Sequence, residues 1–209
     1  MAARFGAAEI KIETSPVTRG VIHSPKLMMV SDAVQNEFGF AETQVVSFED
    51  LYGGKLHAAL DRQHPRDLFD VKLLYENEGL TDALFRAFLI YVASSPRPAH
   101  ELLNPNLADL ELPYAQEFLG MTNDLVSLDA LINTRTRLVH DIRSRLDASA
   151  RAFLLGLHDA EPNFDAIGLP QTADLPAVKW KLLNLQKLIA NNPAKHDEQR
   201  AELLALWTK

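Results

Sequence analysis

The first regular pattern along the chain is an alternation, Glu9-Ile10-Lys11-Ile12-Glu13-Thr14, which places Ile10 and Ile12 on one face of a strand and Glu9, Lys11 and Glu13 on the other. Pro16 and Gly20 interrupt the next stretch, and residues 17–22 are expected to return as an adjacent short strand. A weakly patterned helix is expected over residues 26–36, and another short strand over 43–46. Ser47 and Asp50 resemble a capping box with Asp in place of Glu or Gln, opening a helix over residues 48–62.

Beyond residue 66 the pattern is helical. Residues 67–77, closed by Gly79, and 82–93, opened by Thr81, each carry end signals. Residues 94–112 read as a Pro-rich connection and 113–119 as a short helix. Ser127 caps a long helix to about residue 146, Asp147 caps another to about 158, and 162–170 is a loop. Pro176 suits the first turn of a helix running to about 191, and Pro193 restarts a final one through Trp207. Trp180 and Trp207, with Leu182, Leu183, Leu185, Leu188, Leu203, Leu204 and Leu206, are expected to knit these last two helices into a core. The elements predict an α+β fold that is predominantly helical, a small N-terminal sheet followed by a helical bundle.

Composition changes the picture mainly by exclusion. The chain has 209 residues, 47% apolar and 23% charged, which is ordinary globular material rather than a disordered or fibrous one. Its net charge of −7 gives no general attraction to nucleic acid or an anionic membrane, so any basic site has to be local. The longest uncharged apolar run, residues 87–93, is far short of the roughly 20 that a membrane helix needs, so no membrane association is expected and a cytoplasmic location is. Without cysteine there is no thiol nucleophile and no thiolate metal site.

Candidate chemistry concentrates in KLHAALDRQHPRDLFD, residues 55–70, on two helices joined at His64-Pro65. On the first, Tyr52, Leu56, Ala59 and Leu60 form the apolar face, and Lys55 and Arg62 lie within about 20° of each other at its border. Asp61 points to the opposite side, and His57 away from the cations. On the second helix Asp67 and Asp70 are about 60° apart, on an arc shared with Val71, Leu73, Leu74 and Tyr75. Carboxylates there need partners. Either they pair with Lys55, Arg62 or Arg66 as a salt-bridge cluster tying the helices together, or the group is a phosphate site. In the second case Lys55 and Arg62 neutralise phosphate oxygens while an aspartate orients the lysine or helps hold a hard divalent ion. Spacing alone does not choose.

The run VVSFEDLYGGKLHAALDRQHPRDLFDVKLL, residues 45–74, resembles the signature of the AbiEii/AbiGii toxin-type nucleotidyltransferases, a lysine helix followed by Arg-Asp-x-x-Asp. Ile-Lys-Ile-Glu at 10–13 and Arg19-Gly20 are similar to the family as well, as is the helical remainder. The resemblance implies a polymerase-β-like nucleotidyltransferase fold and transfer of a nucleoside monophosphate from an NTP, with Mg2+, to an acceptor that is tRNA for some relatives. It also implies a winged-helix-type antitoxin as partner. Carried onto this sequence, it makes Lys55, Asp67 and Asp70 catalytic, Arg62 and Arg66 substrate-binding, and Glu13 a candidate metal ligand. Members also carry a Gly-Ser or Gly-Gly loop and an Asp-x-Asp pair ahead of the Ile-Lys-Ile-Glu strand. Here the only glycine before Glu13 is Gly6 and the first aspartate is Asp32. The expectation is therefore an N-terminally truncated member, impaired alone. Residues 1–79 would be the remnant of the nucleotidyltransferase core and 80–209 a C-terminal helical domain. The alternative is a non-catalytic helical module that binds protein or RNA.

Three other groups carry weaker signals. His57 and Asp61, with His64 nearby, have spacing compatible with zinc but read better as a solvated helix surface. His140-Asp141 resembles part of a phosphohydrolase motif whose other ligands are not recognisable. Arg135, Arg137, Arg143 and Arg145 could approach RNA phosphates, although Asp129, Asp141 and Asp147 favour a mixed solvated face.

Overall fold

In the computed structural model residues 2–6, 8–11 and 20–207 are described, those of 2–5 and 8–11 by their backbone. Ala2–Phe5 (β1) and Ala8–Lys11 (β2) pair antiparallel, with Ala2 opposite Lys11 and Phe5 opposite Ala8. The alternating strand expected at 9–14 is thus present as β2 up to Lys11. Residues 12–14, Glu13 included, lie outside the described residues, as do 17–19 of the expected second strand. Its remaining positions, Gly20 to Ile22, are not strand.

Lys26–Met29 (β3) and Glu42–Val45 (β4) form a second antiparallel pair, Lys26 opposite Val45, with Asp32–Phe38 (α1) between them. The helix expected over 26–36 is corrected here. Leu27-Met28-Met29 is a short apolar run that does not distinguish strand from helix, and the helix begins only after Ser31, whose hydroxyl accepts from Val34 N–H.

The rest is helical: Phe48–Asp61 (α2), Pro65–Asn77 (α3), Asp82–Ala93 (α4), Ala99–Leu103 (α5), Glu111–Glu117 (α6), Leu128–Ser144 (α7), Ala148–His158 (α8), Pro176–Asn191 (α9) and Pro193–Ala205 (α10). The fold is α+β and predominantly helical. Thr81, Ser127 and Asp147 each accept the amide three residues on, so α4, α7 and α8 start where side-chain caps satisfy otherwise orphaned N–H groups. Two expected irregular stretches contain helix. The 94–112 connection includes α5, and single 3-10 turns occupy Asp165–Ile167 and Pro170–Asp174.

The core runs along α4, whose Leu84, Phe85, Phe88, Leu89, Ile90 and Val92 are buried. The apolar face read for α2 packs there, Leu56, Ala59 and Leu60 being fully or almost fully buried. The close approach of the two helices has a local cause. A Cβ at Gly53 would lie 2.8 and 2.9 Å from the Tyr91 ring, and one at Gly54 would lie 3.3 Å from it. The two glycines are helical and make room for an aromatic side chain. The expected tryptophan core holds in part: Leu185 and Leu203 are buried and Leu182, Leu188, Leu206 and Trp207 pack against the core, but Trp180 and Leu183 are each 56% exposed. Among the described residues no helix is long and apolar enough to cross a membrane.

Alanine ordinarily stabilises a helix interior relative to glycine, by roughly 1 kcal/mol. At position 53 the sign reverses. Gly53→Ala should lower the unfolding free energy in urea by about 1–3 kcal/mol, since the Tyr91 ring must move, whereas Gly54→Ala changes it by less than about 1 kcal/mol.

Candidate functional site

The charged motif lies on the antiparallel hairpin of α2 and α3. Two ion pairs cross it. Lys55 Nζ donates to Asp70 Oδ2 at 2.5 Å, and Arg62 grips Asp67 with both Nε (3.1 Å, to Oδ2) and a terminal nitrogen (2.6 Å, to Oδ1). The pairing is a consequence of helix geometry. Lys55 and Arg62 share an edge of α2, Asp67 and Asp70 share one of α3, and the hairpin sets the inner residues, 62 and 67, against each other and the outer ones, 55 and 70, likewise. The pairs differ in access. The side chains of Lys55 and Asp70 are 31% and 35% exposed, whereas Asp67 is 12% exposed beneath an outward-facing Arg62.

Arg66 is not part of this ladder. Its guanidinium donates twice to the Glu117 carbonyl, at 3.1 and 3.0 Å, fastening α3 to the end of α6. His64 caps α3: its Nδ1 accepts from Arg66 N–H at 3.2 Å, which leaves the proton on Nε2, donated to Glu117 Oε2 at 3.1 Å.

The turn itself depends on Gln63, which is buried and has φ +52°, a left-handed conformation that disfavours a residue with a Cβ. Its amide group holds it there. Nε2 donates to Asn106 O at 2.6 Å, and Oε1 accepts from Ala108 N–H at 3.1 Å and from Arg135 at 3.0 Å. Arg135 also donates to Ala108 O at 2.7 Å, and burial pushes its guanidinium below the usual arginine value. At the other end of α2, buried Asp50 accepts from Ile22 N–H (2.8 Å), His23 N–H (3.1 Å), Ser47 Oγ (2.9 Å) and Tyr91 OH (3.3 Å). Beside the hairpin, Asp61, Arg62 and Gln63 border a polar cleft of about 620 Å³ that also receives Arg97, Glu101 and Glu198. Arg97 bridges Asp61 and Glu101, and the negative charge of Asp61 raises it further above its ordinary value.

The weaker sequence candidates resolve differently. His57 is buried at 5% exposure rather than on a solvated surface, and Asp61 is taken by Arg97. His140 is exposed, while Asp141 pairs with Arg137 at 3.4 Å. The α7 arginines do not form a phosphate-facing row. Arg135 is buried, Arg137 stacks on Tyr75 at 3.9 Å, Arg143 reaches Asn104, and Arg145 pairs with Asp82. Sequence reasoning missed Gln63, read Arg135 as a candidate for RNA phosphates rather than as its buried partner, and read Asp50 only as a cap. One signal was available for Asp50: an aspartate in a capping box is too short to reach back as Glu does, so its carboxylate is left to serve another segment.

As for a divalent ion, Asp67 and Asp70 already direct oxygens at Arg62 and Lys55. Among the described residues no three His, Asp or Glu side chains converge to hold a metal. These residues do not by themselves fit such an ion, and Glu13 lies outside the described residues.

Gln63→Ala should lower the unfolding free energy by about 3 kcal/mol, because the strained turn remains while its buried partners lose their hydrogen bonds. Asp70→Asn, at a half-exposed pair, should cost no more than about 1 kcal/mol in the same urea titration. No curated protein and no solved structure matches the chain. A family model does, that of the nucleotidyl transferase AbiEii toxin of type IV toxin–antitoxin systems, over residues 1–182. The match spans both the lysine helix and the Arg-Asp-x-x-Asp helix that the hairpin holds together, and the chain belongs to the AbiEii nucleotidyl transferase toxin family.

Proposed function

We propose that the α2–α3 hairpin contributes the lysine and aspartate part of a nucleotidyl-transfer site, which passes a nucleoside monophosphate from an NTP to an RNA acceptor such as tRNA. What supports the reading is the Lys55–Asp70 pair. Both side chains are about one-third exposed, so the bond between them is worth no more than about 1 kcal/mol and yields readily to a phosphate. Lys55 then neutralises the triphosphate as charge moves toward the leaving pyrophosphate, and Asp70 positions the amine between turnovers. Arg62, 63% exposed, is the second cation, held in place by Asp67. Arg66 supports α3 next to it and extends the basic side of the site. Nucleotidyltransferases in general use a divalent metal with the NTP, and Glu13 is the carboxylate offered for it in this reading.

In this assignment residues 1–79 carry the reaction and 80–209 the helical scaffold. A Gly-Ser loop and an Asp-x-Asp pair do not precede Ile10 within these 209 residues, so we expect transfer by them alone to be slow. The toxin–antitoxin family also works with an antitoxin, for which we propose a winged-helix-type protein in the cytoplasm. A second reading, a non-catalytic module that binds a protein or RNA, is favoured by one observation: Leu27, Met28, Met29, Phe38 and Phe40 are all exposed on the β3–α1–β4 unit.

Incubation of the chain with α-labelled NTPs, magnesium and tRNA should give slow labelling of the RNA. Lys55→Ala should abolish it, a loss of about a hundredfold or more, with a melting temperature within about 2 °C of the parent. Absence of labelling by the parent chain favours the binding module instead.

A further inference from the structure

In the helical part α8, α9, α10 and the start of α5 enclose a half-open pocket of about 390 Å³. Its size is that of a small-molecule site, roughly 300–1,000 Å³. Leu157, Leu185, Leu188 and the ring of Trp180 make its wall apolar. Lys181 also lines it, and only 6% of that residue is exposed. Its Nζ donates to Arg97 O at 2.6 Å, and among the described residues no carboxylate comes within ion-pair distance. A buried ammonium satisfied by one carbonyl is costly to keep, and an anion brought to it would offset that cost. Although the chain carries 28 acidic residues, none of those described lines this pocket.

We propose that the pocket binds a monocarboxylate with an aromatic or alkyl body, its carboxylate on Lys181 Nζ and its body against Trp180 and Leu188. The charge count favours one negative charge over two. Lys181 is the single buried cation among the described lining residues, Lys195 at the rim is exposed, and a phosphate dianion needs more desolvated donors than these. Asn184 and Gln199 are the neutral donors available to the second carboxylate oxygen. Asn184, Leu185, Leu188, Lys195 and Gln199 lie after residue 182, beyond the part that matches the family model, whereas Lys181, Trp180 and the α5 and α8 side of the pocket lie within it.

The other charged and titratable groups of the lining are Lys195 of α10 and His158 of α8, and Glu101 of α5 acts on the amine electrostatically. Burial lowers the Lys181 amine to about 8 from 10.5, with Glu101 opposing, and it lowers the His158 imidazole as well. Below its folded-state value Lys181 carries the charge that the ligand needs. In the free protein the unfolded chain binds the proton more tightly between pH 8 and 10.5, so stability rises with pH across that window.

Calorimetric titration of the full chain with phenylbutyrate, phenylbutanamide and inorganic phosphate tests the site. Phenylbutyrate should bind at least tenfold more tightly than its amide, weaken as pH rises from 8 toward 10, and be unaffected by phosphate. Lys181→Met should lose at least tenfold in affinity, with no loss of thermal stability and no rise of stability between pH 8 and 10. No binding of phenylbutyrate, equal binding of the amide, competition by phosphate, or unchanged affinity in Lys181→Met each overturns the proposal. If Lys181→Met does not fold, Trp180→Ala, at an exposed position, should weaken phenylbutyrate at least threefold, and unchanged affinity there overturns it too.

Discussion

Burial of α2 takes both of its polar ends away from water, and the surrounding elements are arranged to satisfy them. At the first turn Asp50, 3% exposed, gathers two backbone amides from the segment that leads into β3, the Ser47 hydroxyl and the Tyr91 phenol. Just past the last turn Gln63 gathers the 106–108 segment and Arg135 of α7. A buried carboxylate or amide without such partners costs several kcal/mol, comparable with a substantial part of a domain's stability. The position of the N-terminal segment, the approach of α4 and the seat of α7 are therefore three answers to one requirement. The glycine pair completes it, since Tyr91 reaches Asp50 only because Gly53 leaves room for its ring.

On this fixed helix the two ion pairs play unequal parts. Arg62–Asp67 is bidentate, next to the turn, and its carboxylate is largely covered, so removal of the arginine would leave a desolvated charge. Lys55–Asp70 is monodentate, farther from the turn and open on both sides. Opening the first pair would strand a covered carboxylate beside the turn, whereas the second is open to a competing anion. A cation that must exchange a protein carboxylate for a phosphate belongs in the second arrangement, and Lys55 is the one found there.

Much of the helical part was legible because its signals are local. Ser47, Thr81, Ser127 and Asp147 cap helices where their side chains can reach the third amide, and α9 spans the predicted 176–191. The ladder was legible in part: the spacing of Lys55, Arg62, Asp67 and Asp70 fixes their faces, but the pairing register depends on a turn whose left-handed residue is a glutamine rather than a glycine or asparagine. That residue and its partner Arg135 are separated by 72 positions, and nothing in either neighbourhood announces the contact. The misplaced first half of the helix expected at 26–36 has the opposite origin. There the pattern was too short to define a period, and pairing with β4 decided the conformation. Trp180 was misplaced because hydrophobicity reports a preference for burial and not which helix face the neighbours leave open.

The charge distribution constrains where an RNA acceptor approaches if the hairpin carries out transfer. The arginines of α7 are spent on internal partners, and the cleft beside Arg62 brings Asp61, Glu101, Glu198 and Glu202 to its lining. A polyanion entering by that cleft meets four carboxylates against the cations Arg62 and Arg97, the latter already bridging two of them. In a chain of net charge −7 this is a repulsive entrance at low salt. The outer side of the hairpin, where Lys55 is reachable beside Asp70, is the less acidic approach. Few phosphates can be neutralised there by the described residues, so their share of the affinity for an acceptor would owe little to counterion release and much to contacts that a protein partner or the nucleotide itself provides.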